Sequence, residues 1–176
     1  MTLNDRFTKE EQFLLSNTPF ALGSAMAFAE GSGLGTIKEM FSSTKSFMAG
    51  AKTFPDNEII VDILPKMENF SEAREESKAF QEAYKAWVLE HEVKSYDEMQ
   101  ALVLSDTKKV FDILNDKASN DEASEYKEWA MSIISSVANA AKEGGFFGFG
   151  GERISEKEKE LYTKVAQILE VSTILT

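Results

Sequence analysis

Four glutamates sit where a chain of this kind could build a cation site. Glu30 and Glu39 flank one glycine-rich joint, and Glu143 and Glu158 flank a second. If the two joints meet in space, four carboxylates would suit a hard, oxygen-seeking ion such as Ca²⁺, Mg²⁺ or Mn²⁺. Helix capping is the competing role. Glu39 follows Thr36 by three residues and Glu158 follows Ser155 by three, which is capping-box spacing and accounts for both without a metal. The second joint, Lys142-Glu-Gly-Gly-Phe-Phe-Gly-Phe-Gly-Gly-Glu-Arg-Ile-Ser155, holds five of the ten glycines and three of the thirteen phenylalanines. Its candidate binding loop is Gly144, Gly145, Phe146, Phe147, Gly148, Phe149, Gly150 and Gly151. The three rings either fold back over the open end of a helical bundle or stay exposed as a patch for a partner or membrane. Folding back is expected, because exposed aromatic clusters are costly on a soluble monomer.

Other chemistries fail on spacing. Neither glycine cluster follows a strand, and no Gly-Lys-Ser/Thr is present, so dinucleotide and P-loop sites are excluded. Successive backbone amides could form an anion nest, but the flanking Glu143 and Glu152 oppose it. An EF-hand with Glu158 at its last position would have glycine and phenylalanine as calcium ligands. His91 is the single histidine, and Val88 stands where a Glu-x-x-His di-iron motif needs glutamate. Glu90-His91-Glu92 near a helix end reads as a structural histidine favoured by the helix dipole and its neighbours. No residue set qualifies as catalytic, and no cofactor is expected.

Composition narrows the field further. The chain has 176 residues, 43% of them hydrophobic, enough for one compact domain over 1–176. It has no cysteine, which removes disulfides, zinc-thiolate sites and thiol catalysis. A net charge of −11 argues against nucleic acid and anionic membrane faces as partners, since both are held by Lys and Arg. No transmembrane run is present, and the polar N-terminus does not resemble a secretory signal. A cytoplasmic protein is expected.

The elements that must position these residues are helical. Thr8 with Glu11 opens a short helix to about Ser16, and Thr18-Pro19 opens another that Gly31 closes. Ala21, Ala25 and Ala29 form a ridge that lets a neighbour approach closely. Thr36 with Glu39 restarts the chain toward Phe54-Pro55, after which Asp56 can cap a helix that Pro65 kinks or splits. A long helix then runs to about Val93, burying Phe80, Tyr84, Trp87 and His91. Ser95 with Glu98 opens the next, and Asp106 falls on its apolar stripe, so a break there is expected. Asn120 or Asp121 opens the clearest stripe: Tyr126, Trp129, Ala130, Ile133, Ile134, Val137, Ala138 and Ala141. Ser155 with Glu158 opens the last helix, burying Leu161, Val165, Ile168 and Leu169. No segment alternates with period two, so the fold class is all-α, a bundle of roughly seven or eight helices.

The two joints share a grammar of alanine-rich helix, Glu-Gly stop, glycine-rich loop and capping-box restart. A duplicated helical hairpin, at about 18–52 and 121–170, is therefore expected. The second copy, through Lys142-Glu-Gly144, Ile154-Ser155-Glu156-x-Glu158 and the apolar last helix, resembles the helical hairpin of TerB-like (tellurite-resistance) proteins over about thirty residues. It is also similar to bacterial all-helical proteins of unknown function with a glycine-rich C-terminal hairpin. The TerB-like resemblance implies an all-helical fold, a link to stress responses, and acidic residues at the joint tied to metal binding. The group's usual Asp-Gly is Glu143-Gly144 here, and the loop is longer. The expected function is a non-enzymatic interaction or stress-associated module working with a protein partner or a second copy. The alternative is a small-molecule or lipid-binding bundle with an apolar pocket lined by Phe, Met and Trp.

Overall fold

The computed structural model describes residues 3–29, 45–64, 70–142 and 154–172. Among these residues the protein is an all-α bundle without strands. Its helices are α1 (Leu3–Arg6), α2 (Lys9–Phe28), α3 (residues 45–53), α4 (Glu58–Ile63), α5 (Phe70–Glu90), α6 (Tyr96–Lys117), α7 (Asn120–Lys142) and α8 (Glu156–Leu169). Glu30, Glu39, Glu143, residues 144–151 and the joint at 30–44 lie outside the described residues, so the expected hairpin duplication is not described.

The architecture centres on α2. Between Leu14 and Ala27 it is buried nearly all round, with Leu14, Leu15, Pro19, Ala21, Leu22, Ala25, Met26 and Ala27 inside together with the polar Asn17, Thr18 and Ser24. The alanine ridge Ala21, Ala25, Ala29 is buried with them. Helices α6 and α7 pack against α2, and α8 packs against both of those. Two apolar clusters result. One joins α2, α6, α7 and α8 with Trp87 of α5, and the other joins α2, α6 and α7 with α1, α3 and α4. Three helices thus serve both.

The expectation of two helices at residues 8–30 is corrected: α2 runs unbroken through Pro19. A mid-helix proline lacks the N–H that would bond the carbonyl four residues back, here Leu15. The Tyr126 hydroxyl from α7 donates to that carbonyl instead, at 2.6 Å. With its free acceptor taken in the core, the helix continues.

The expected break at Asp106 is corrected by the same kind of compensation. Helix α6 is continuous, and Asp106 is buried within it. The Trp87 Nε1–H donates to its Oδ2 at 3.1 Å, and the Lys109 ammonium lies 2.8 Å from Oδ1. His91 is a third correction. α5 stops at Glu90, leaving His91 exposed past the last turn. Its Nδ1 lies 2.8 Å from the Trp87 carbonyl, a contact that puts a proton on Nδ1, since a carbonyl only accepts. Tyr84 is half-buried, and the Phe80 side chain lies outside the described ones.

The capping boxes at Thr8–Glu11, Ser95–Glu98 and Ser155–Glu158 are formed on both sides. One more appears. Ser119 N–H donates to Glu122 at 2.9 Å and Glu122 N–H to Ser119 Oγ at 3.3 Å, so Ser119, not Asn120 or Asp121, caps α7. Helix α4 is capped by Asn57, one residue after the expected Asp56, with Ile60 N–H donating to Asn57 Oδ1 at 3.1 Å. Leu64 ends α4 in an extended conformation, as a residue before proline prefers.

Helix α7 carries the apolar face expected of it. Tyr126, Trp129, Ala130, Ile133, Ile134, Val137 and Ala138 are buried. The Trp129 Nε1–H donates to the Phe47 carbonyl at 3.3 Å. α3 comes this close because residue 50 is glycine: a Cβ there would lie 2.5 Å from Trp129 Nε1.

Candidate functional site

Of the expected site residues, Glu158 is described. It is buried, and its Oε2 accepts the Ser155 N–H at 2.7 Å while its own N–H donates to Ser155 Oγ at 3.1 Å. That carboxylate is engaged as a helix cap. Among the described residues no group of three or more His, Cys, Asp or Glu side chains is placed to hold a metal ion. The other metal candidates and the Gly-Phe loop fall outside those residues.

Among the described residues the Glu122 carboxyl is held well below its ordinary pKa. It receives Arg6 through both oxygens, Nη1 to Oε1 at 2.6 Å and Nη2 to Oε2 at 2.8 Å, and it caps Ser119 as well. The Arg6 hydrogen bonds, with help from Ser119, lower its pKa to about 2. Strong shifts mark active sites in many enzymes, but this one has a structural cause. Arg6 also donates to the Lys117 carbonyl at 3.1 Å, and Lys117 reaches Glu11 at 2.7 Å. Asn57 donates to the Glu122 carbonyl and to Glu125. Together these contacts pin α1, α2 and α4 to the α6–α7 turn.

Surface chemistry gathers instead beside α6 and α8. Tyr96 and Lys157, near the two helix N-termini, meet in a cation–π contact at 5.3 Å, and Phe111, further along α6, shares a groove with Gln167 and Ile168 of α8. The helices therefore run in the same direction. Each buries one stripe: Val103, Val110 and Leu114 on α6, and Leu161, Val165 and Leu169 on α8. The neighbouring stripes, Leu104, Lys108 and Phe111 at i, i+4, i+7 and Lys164 with Ile168 at i, i+4, line an open groove of about 480 Å³. Leu104, Phe111 and Ile168 give it a half-buried apolar floor. The Lys127 ammonium of α7 lies 4.6 Å from the Phe111 ring centroid and that of Lys108 lies 5.2 Å from it. Sequence reading missed this groove. Ile168, expected among the buried residues of the last helix, is half-buried and lines it, while its other lining residues are off-stripe positions, apolar and charged, that read as ordinary solvated faces. The one signal was Phe111, a large ring one position outside the buried stripe.

No family model, curated protein or solved structure matches the chain. Among the described residues no helix is long and apolar enough to cross a membrane.

Proposed function

We propose that the protein is a non-enzymatic helical module that acts by contact with a polypeptide partner, in a stress-associated setting. What supports the contact role is how the fold uses its reactive side chains. Asp106, Glu122, Glu158, Tyr126 and both tryptophans, Trp87 and Trp129, each make hydrogen bonds that hold helices together or cap them. Among the described residues the surface also holds an apolar-floored groove with charged rims, suited to docking rather than to bond making. The stress setting rests on the TerB-like resemblance of the hairpin at 121–170.

Native mass spectrometry of the untreated full chain tests the reading. A second copy or a distinct polypeptide retained at fixed stoichiometry is the expected result. A lipid or small molecule retained instead would overturn it in favour of the apolar-pocket alternative.

A further inference from the structure

We propose that the groove between α6 and α8 is the face through which two copies of this chain associate about a twofold axis. The inference rests on the contact-module reading and names its partner.

Sign balance around the groove carries it. A chain with a net charge of −11 repels its own kind over most of its surface. A self-interface must therefore lie where that charge is locally cancelled. Among the described residues, three ammoniums at the groove, Lys108, Lys127 and Lys164, stand beside three carboxylates, Asp112, Glu160 and Glu170. Lys108 pairs with Asp112 and Lys164 with Glu160, both at 2.6 Å and both one turn along their own helix. Among the described residues no carboxylate pairs with Lys127, which lies over the Phe111 ring. Such exposed pairs hold weakly and exchange readily.

An isologous contact places one patch against itself, so the patch must be complementary to itself. A rim carrying both signs meets that condition. A strongly acidic or basic partner would meet repulsion from half of it. The apolar floor of Leu104, Phe111 and Ile168 supplies what the two copies bury. A hydrocarbon ligand lying in so open a groove would keep much of its surface in water, whereas a second copy covers the groove from above.

Two charge variants of the full chain test this. Lys108→Glu/Lys164→Glu makes the rim acidic, and Asp112→Lys/Glu160→Lys makes it basic. Sedimentation equilibrium is expected to show the wild-type chain in reversible monomer–dimer exchange, each variant alone monomeric, and an equimolar mixture of the two associating as a heterodimer. That rescue requires both variants to be folded, with circular dichroism as the check, and misfolding could not mimic it. A wild-type chain that stays monomeric to millimolar concentration overturns the inference. So does a dimer that persists in both variants, or two folded variants that fail to associate. If native mass spectrometry finds a different polypeptide on a chain that is monomeric alone, this face is refuted while the contact-module reading stands. A retained lipid would refute that reading itself.

Discussion

At the scale of single residues, the fold depends on long-range hydrogen bonds that repair local faults. Pro19 leaves the Leu15 carbonyl without its helical donor, and Tyr126 supplies one at 2.6 Å. Tyr126→Phe should therefore cost about 1–3 kcal/mol, the range for stranding a buried polar group. In a Pro19→Ala background, residue 19 has its own N–H to offer, and the same change should cost about 1 kcal/mol less. Urea unfolding of the four chains in that cycle measures the coupling, and strict additivity would show that the two sites do not share the carbonyl. Trp129 tests packing. Trp129→Ala should cost about 3–5 kcal/mol, as truncation of a buried aromatic does. Gly50→Ala forces a methyl against a fixed indole and should cost about 1–3 kcal/mol, with partial relief once the indole is gone.

At the scale of helices, the capping residues and the α7 stripe were legible in the sequence because both signals are local. The Ser95–Glu98 box and the run from Tyr126 to Ala138 need only their own neighbours to act, and both appear as read. Two of the errors share one cause. Thr18-Pro19 reads as a helix start and Asp106 as a polar intrusion on an apolar stripe, and in each case the compensation that keeps the helix whole comes from a residue many positions away. The Ser119–Glu122 box also has capping spacing, but the adjacent Asn120 and Asp121 are equally good cap residues by type, so spacing alone does not choose among them. The groove was invisible for another reason: it is a property of two helices side by side, and neither stripe alone is unusual. Helix α6 also gives a prediction. Asp106→Ala should leave its helicity by circular dichroism unchanged while lowering stability by about 1–3 kcal/mol, because the Trp87 N–H loses its acceptor inside the core. A loss of helicity would instead mean that Asp106 acts within α6.

At the scale of the whole molecule, the N-terminal segment is fastened to the α6–α7 turn by charge. The pKa of Glu122 in the fold, about 2, lies below its ordinary value of 4.5, and that of Glu11 is lowered too by Lys117 and Thr8. A carboxyl with a depressed folded pKa adds stability above its unfolded pKa, and that stability is lost as pH falls through the folded value. The urea midpoint should therefore drop as pH falls from about 4.5 toward about 2. In Arg6→Met, which removes the largest cause of the shift, the wild-type chain should keep less of its advantage at the acid end than at neutral pH. An equal gap at every pH would show that the pair does not govern acid stability.

The central position of α2 also has a consequence for how the chain is made. Synthesis delivers α2 well before α6 and α7, the helices that enclose it, which begin only at Tyr96 and Asn120. Until then, of the described helices, the buried run from Leu14 to Ala27 can meet only α1, α3, α4 and α5. Such intermediates are prone to aggregate. The nascent chain should therefore need holding factors, or clustering of α2 with α3 and α4, until α7 has left the ribosome. Nascent chains arrested before residue 120 should be cut within α2 by proteases that spare the finished fold.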